Sequence, residues 1–112
     1  MNRYRVVVTP EAEAQIRESF RYIYGRSPVN AERWFRQLYA EIEGLELHPE
    51  RYAFAKERDY LEENLRQFVF KSHRVVFHVN KASGTICVLH VRHSARLAVG
   101  EPWEAANEFS ED

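Results

Sequence analysis

The dipeptides Thr9-Pro10 and Ser27-Pro28, eighteen residues apart, mark two helix starts in this chain. A Thr or Ser side chain caps the first free N–H groups of a helix, and proline suits the next position because the N–H it lacks is not needed there. After the first signal Ala12, Ile16, Phe20, Ile23 and Tyr24 recur at helical spacing, with Arg17, Glu18 and Arg21 on the other face. Gly25 is expected to end this helix. After the second signal Ala31, Trp34, Phe35, Leu38, Tyr39, Ile42 and Leu45 form the apolar stripe, and His48-Pro49 stops it. Two amphipathic helices joined by so short a turn should pack as an antiparallel hairpin.

The flanks read as strands. Residues 4–8 are a β-branched run, while residues 65–70, 74–79 and 85–93 are apolar segments separated by tight turns at Lys71-Ser72-His73 and at Asn80 to Gly84. Residues 49–64 are charge-rich and aperiodic, which predicts a long connection with a short helical turn over residues 57–63. The expected fold class is α+β with order βααβββ, the N-terminal strand and helical hairpin packed on a mainly antiparallel sheet. The core should draw on Phe20, Ile23, Trp34, Phe35 and Leu38.

Charge is distributed unevenly. Residues 65–100 carry Arg66, Lys71, Arg74, Lys81, Arg92 and Arg96, four histidines, and no Asp or Glu. Five acids and no base follow in residues 101–112, so the net charge of −1 averages two opposed regions. The chain therefore divides into a domain over residues 1–100 and an acidic C-terminal tail over residues 101–112. A basic surface mounted on strands suits phosphate or an acidic protein segment.

Strand parity assigns faces. Val75, Phe77 and Val79 share one face with Cys87, Leu89 and Val91, and the helices should cover it. Arg74 and His78, together with Ile86, Val88, His90 and Arg92, then fall on the open face, with Arg66 as a candidate neighbour. These basic residues and Arg96 are the candidate anion-binding or target-binding set. A metal site is not expected, because His78, His90 and His93 have no cysteine pair or carboxylate at ligand spacing. No cofactor is expected either. Cys87 is the only cysteine, so no internal disulfide can form, and a reducing, cytoplasmic location is expected. No apolar run is long enough to span a bilayer, so no membrane partner is expected.

Val8-Thr9-Pro10-Glu11-Ala12, Leu47-His48-Pro49, Leu65-Arg66, Ser72-His73-Arg74-Val75-Val76-Phe77-His78-Val79 and Val88-Leu89-His90-Val91-Arg92-His93-Ser94-Ala95-Arg96 occur in that order over residues 1–97. Their order and spacing resemble the RelE/ParE superfamily of toxins from bacterial type II toxin–antitoxin systems, known also from plasmid stabilisation. The resemblance implies a growth-inhibiting toxin silenced by a cognate antitoxin, whose acidic segment would wrap over sheet and helices in a hetero-oligomer. It also implies one of two activities. RelE-like members are mRNA interferases that cut message on the ribosome without metal, the 2′-hydroxyl attacking the adjacent phosphate. ParE-like members bind DNA gyrase and act as inhibitors without chemistry of their own.

In the nuclease branch Arg74 would hold phosphate, and Arg92 and His93 would supply basic and acid/base groups, making these three the catalytic candidates. The resemblance to that branch is incomplete. Leu97 and Val99 stand where a nuclease usually has a tyrosine, and Arg51, Lys56 and Arg58 are outnumbered by acids in the connecting segment. The ending His93-Ser94-Ala95-Arg96 looks more like the ParE pattern. The resemblance therefore favours a gyrase poison, with the ribosome-dependent endoribonuclease as the alternative.

Overall fold

The computed structural model describes residues 3–55 and 64–93. The helical turn expected over residues 57–63, Arg96, and the tail over residues 101–112 lie outside the described residues. The elements are β1 (Arg5–Val8), α1 (Pro10–Arg26), α2 (Pro28–Glu43), β2 (Leu65–Phe70), β3 (His73–Asn80) and β4 (Thr85–His93), in the order the sequence predicts. The sheet order is β1-β4-β3-β2, with β1 parallel to β4 and the other pairs antiparallel.

Both capping signals act as expected. The Thr9 hydroxyl accepts from the Ala12 N–H at 3.2 Å, and the Ser27 hydroxyl accepts from the Asn30 N–H at 3.2 Å. Gly25, however, does not end α1. The helix runs through it to Arg26 and breaks at Ser27, which is extended at φ −162°, ψ 106°. The pyrrolidine ring of Pro28 disfavours the α region for the residue before it, so proline and not glycine sets the boundary. The second helix stops at Glu43, earlier than expected. A 3-10 turn over Gly44–Glu46 follows, and His48 then adopts a left-handed conformation (φ 52°) before a 3-10 turn over Pro49–Arg51.

The hairpin buries Ala12 and Ile16 from α1 and Trp34, Leu38 and Ile42 from α2 against Val75, Phe77, Val79, Ile86, Val88 and Val91 of the sheet. Trp34 is 5% exposed and Phe77 is fully buried. Phe35 departs from the expectation. It is 40% exposed and meets Phe20 and Tyr39 on the outer side of the hairpin, at ring-centroid distances of 5.8 and 4.8 Å. At Tyr39, burial first and the Glu13 carboxylate second push the phenol above its usual pKa.

The face assignment of β4 is corrected by a β-bulge. Val79 pairs with Ile86 and Phe77 with Val88, but Val76 pairs with His90, so Leu89 is the extra residue. One inserted residue flips the side-chain parity of everything beyond it. Ile86 and Val88 therefore join the helix-covered core before the bulge, and Val91 and His93 join it after. Cys87 pairs with His78 away from that core and is only partly buried.

The opposite face is not open across its width. Ala55, Leu65 and Val76 are 1–2% exposed and form a second small apolar cluster with Leu89. The cause is an extra rung beside β2, where the Ala55 N–H donates to the Leu65 carbonyl at 2.8 Å and the Gln67 N–H to that of Ala53 at 3.0 Å. Part of the expected long connection is thus tied to the sheet edge.

Candidate functional site

Three of the basic candidates converge on the second face. Arg74 lies directly opposite Arg92 in the β3–β4 ladder, and His78 stands further along β3 on the same side. Arg74 is 9% exposed and its Nη1 donates to Gln67 Oε1 at 2.9 Å. Val69, the β2 partner of Arg74, is 62% exposed and extends this end of the face as an apolar shoulder. Two guanidinium groups on directly opposed residues repel. A surface that keeps them together favours anionic groups against it, whether phosphate or carboxylate.

The structure gives Arg66 and His90 other partners. Arg66 Nη1 donates to the carbonyls of Glu50 (3.1 Å) and Tyr52 (2.7 Å), its Nε donates to Asn64 Oδ1 (3.0 Å), and the guanidinium lies 4.1 Å over the Phe54 ring. This arginine holds the segment after α2 against β2. His90, which lies opposite Val76 in the ladder, reaches α1, with Nδ1 3.4 Å from Gln15 Nε2 and 3.6 Å from Glu11 Oε2. Gln15 Oε1 also accepts the Val91 N–H at 2.8 Å, and Thr9 bonds the Val88 carbonyl through both its N–H and its hydroxyl. Side chains near the start of α1 therefore satisfy the edge of β4 where β1 ends.

His93 stands on the other side of the sheet from Arg92. It is 5% exposed, and its ring centre is 5.5 Å from that of His73. His73 Nε2 is 2.9 Å from the Ser19 hydroxyl, and the His73 ring packs 5.1 Å from Trp34. The sequence reading did not single out Ser19 and His73. The signal available was parity, since His73 is in phase with Val75, Phe77 and Val79. Among the described residues no group of three or more His, Cys, Asp or Glu is arranged to hold a metal ion.

Two concavities flank the helical hairpin. A cavity of about 380 Å³ lies between α1, α2 and the β2–β3 turn, with Arg33, Trp34, Lys71 and Ser72 in its wall. Lys71 in that turn has φ 53°, a left-handed conformation that disfavours side chains with a Cβ. A groove of about 590 Å³ runs between the exposed sides of α1 and α2, lined by Arg17, Phe20, Arg21, Glu32, Phe35 and Arg36. Periodicity alone had placed Arg17 and Arg21 on a solvated face, and the groove became visible only once Phe35 was seen to point outward. No described helix is long and apolar enough to cross a membrane.

Comparison with known proteins places this geometry in a family. The sequence pattern of the family described as "ParE toxin of type II toxin-antitoxin system, parDE" matches residues 6–98. Among curated proteins none matches the chain. Among solved structures, a chain of the chromosomal ParDE toxin–antitoxin system from P. aeruginosa superposes with a TM-score of 0.66 at 13% identity, covering 80% of this chain and 95% of that one. A chain of the RelBE2 toxin–antitoxin complex from Mycobacterium tuberculosis superposes with a TM-score of 0.58 at 16% identity, covering 83% and 93%. At such identities the superpositions speak for the fold, and the family match speaks for kinship. The chain belongs to the ParE toxin family of type II toxin–antitoxin systems, within the RelE/ParE superfamily.

Proposed function

We propose that this toxin arrests growth by binding and poisoning DNA gyrase in the cytoplasm, and that a cognate antitoxin silences it in a hetero-oligomer. The observation that carries the reading is the separation of Arg92 and His93 onto opposite faces of β4. Cleavage by the 2′-hydroxyl route needs a proton acceptor near the hydroxyl and cationic donors on the phosphate, gathered in one accessible place. Here Arg74 and Arg92 lie side by side, while His93 is buried beneath the helices against His73. That arrangement supports a surface that binds an anionic partner more than one that performs acid/base chemistry.

The contact surface in this proposal is the second face around Arg74, His78, Arg92 and Val69. Arg66, which holds the segment after α2 against β2, and His90, which reaches α1, are not assigned to it. The alternative, a ribosome-dependent endoribonuclease, draws on the same paired arginines, which could clamp a phosphate. Purified gyrase and a ribosome–mRNA complex, each incubated with the toxin, separate the two. The proposal expects supercoiling to be inhibited and the mRNA to stay intact. Cleaved message with normal supercoiling would replace it by the nuclease reading.

A further inference from the structure

The groove between α1 and α2 has a composition that the fold does not require. Its floor is formed by Phe20 and the 40% exposed Phe35, their rings edge to face at 5.8 Å. Arg17, Arg21 and Arg36 rim it, with Glu32 the only acid among its lining residues. Tyr24, 48% exposed, continues the apolar surface through its ring contact with Phe20 at 5.7 Å. An apolar floor with a cationic rim is the complement of an acidic segment bearing aromatic side chains.

The chain contains such a segment. Residues 101–112 hold Glu101, Glu104, Glu108, Glu111 and Asp112 with no Lys or Arg, and they carry Trp103 and Phe109. We propose that residues 101–112 dock in the α1/α2 groove of their own chain, Trp103 and Phe109 against the Phe20/Phe35 floor and the carboxylates against Arg17, Arg21 and Arg36.

The path is short enough. His93, the last described residue, packs its ring 5.5 Å from that of His73, which is within hydrogen-bond distance of Ser19, the neighbour of Phe20 on α1. Residues 94–100 can span up to roughly 25 Å when extended. A helix with its side chains is about 10–12 Å across, so the linker can pass around α1 to the outer side of the hairpin. Tethering over so few residues gives an effective concentration on the order of millimolar, enough to populate a weak contact. If the antitoxin of the preceding section also uses this groove, the tail competes with it, but the docking itself does not depend on that reading.

The test uses the full chain and needs neither gyrase nor antitoxin. NMR spectra of the intact protein are compared with those of a Trp103→Ala/Phe109→Ala variant and an Arg17→Glu/Arg36→Glu variant, each at about 0.05 M and 0.5 M salt. Docking predicts contacts between the Trp103 or Phe109 rings and those of Phe20 or Phe35. In the tail variant the groove signals should shift while those of Trp34 and the sheet stay in place. In the intact chain at high salt they should move towards their tail-variant positions, since screening over a Debye length weakens the carboxylate–arginine part. The groove variant should lose the ring contacts, and the salt series on the unaltered chain gives the same information should that variant fold poorly. Groove signals unaffected by salt and by the tail substitutions would overturn the proposal, as would shifts centred on Arg74 and Arg92.

Discussion

Replacing Arg66 by alanine tests whether this basic residue belongs to the fold. Its side chain is 13% exposed and reaches three acceptors, the carbonyls of Glu50 and Tyr52 and the side chain of Asn64. The contact of Nη2 with Glu50 Oε2 at 3.6 Å is long and partly solvated, so little is assigned to it. Charged-donor hydrogen bonds contribute about 1.5–3 kcal/mol each when fully buried, but water can return to these loop carbonyls once the donor is gone. About 1 kcal/mol for each of the two carbonyl bonds, with ~0.5 kcal/mol for the stacking on Phe54, gives a destabilisation of roughly 2–3 kcal/mol. For a domain of this size that corresponds to a fall in melting temperature of roughly 8–15 °C. Arg66→Lys should recover less than half, because a single ammonium nitrogen cannot reach acceptors that Nε and Nη1 serve from separate positions, and it loses the planar stacking on Phe54. Urea unfolding followed by circular dichroism measures both variants, with the slope expected to stay constant. A change below about 0.5 kcal/mol in Arg66→Ala would show that the segment after α2 is held by other contacts and would return Arg66 to the candidate binding surface.

Three other substitutions probe separate parts of the account. Trp34→Ala should cost about 3–5 kcal/mol in the same assay, since the ring is 5% exposed in the main core and its loss leaves a cavity. Lys71→Gly should stabilise by roughly 0.5–1 kcal/mol, because relief of the left-handed strain at φ 53° exceeds the entropy that glycine adds to the unfolded chain. Leu89→Ala should cost only about 1–2 kcal/mol, as Leu89 is partly buried against the small second cluster. Deleting Leu89, the extra residue, should keep the Phe77–Val88 and Val76–His90 pairs and leave Val91 and His93 in the core, so the variant should still unfold cooperatively at a cost close to that of Leu89→Ala; a deletion variant that no longer unfolds cooperatively would show that Leu89 is not the residue the ladder can spare.

The helical hairpin was legible because its signals are local. Thr9-Pro10 and Ser27-Pro28 act within one turn of chain, and the stripe through Ala31, Trp34, Leu38 and Ile42 repeats at a fixed spacing. The order of the strands was legible for the same reason. Which way the β4 side chains point was not, since the bulge at Leu89 arises between β3 and β4 and leaves no mark in either strand alone. A single parity carried through residues 85–93 put Ile86 and Val88 on the wrong side. The same limit applies to the site. Arg74, His78 and Arg92 share a face as expected, because none depends on the parity of β4 before the bulge. Arg66 and His90 entered the candidate set on charge and position, and their contacts with Glu50, Tyr52, Glu11 and Gln15 could not be read there, since these partners lie far away in sequence. Phe35 joined the helical stripe by spacing, but it sits at the hairpin's outer edge, where the stripe turns away from the sheet.

The central claim is that this member of the ParE family acts on gyrase and not on message. The most direct measurement is the amount of gyrase covalently trapped on DNA in cells after the toxin is induced, with mRNA integrity followed in the same cultures. The account predicts trapped gyrase–DNA complexes rising as growth stops, intact transcripts, and abolition of both the trapping and the arrest by co-expressed antitoxin. Growth arrest with cut transcripts and no rise in trapped gyrase would contradict it.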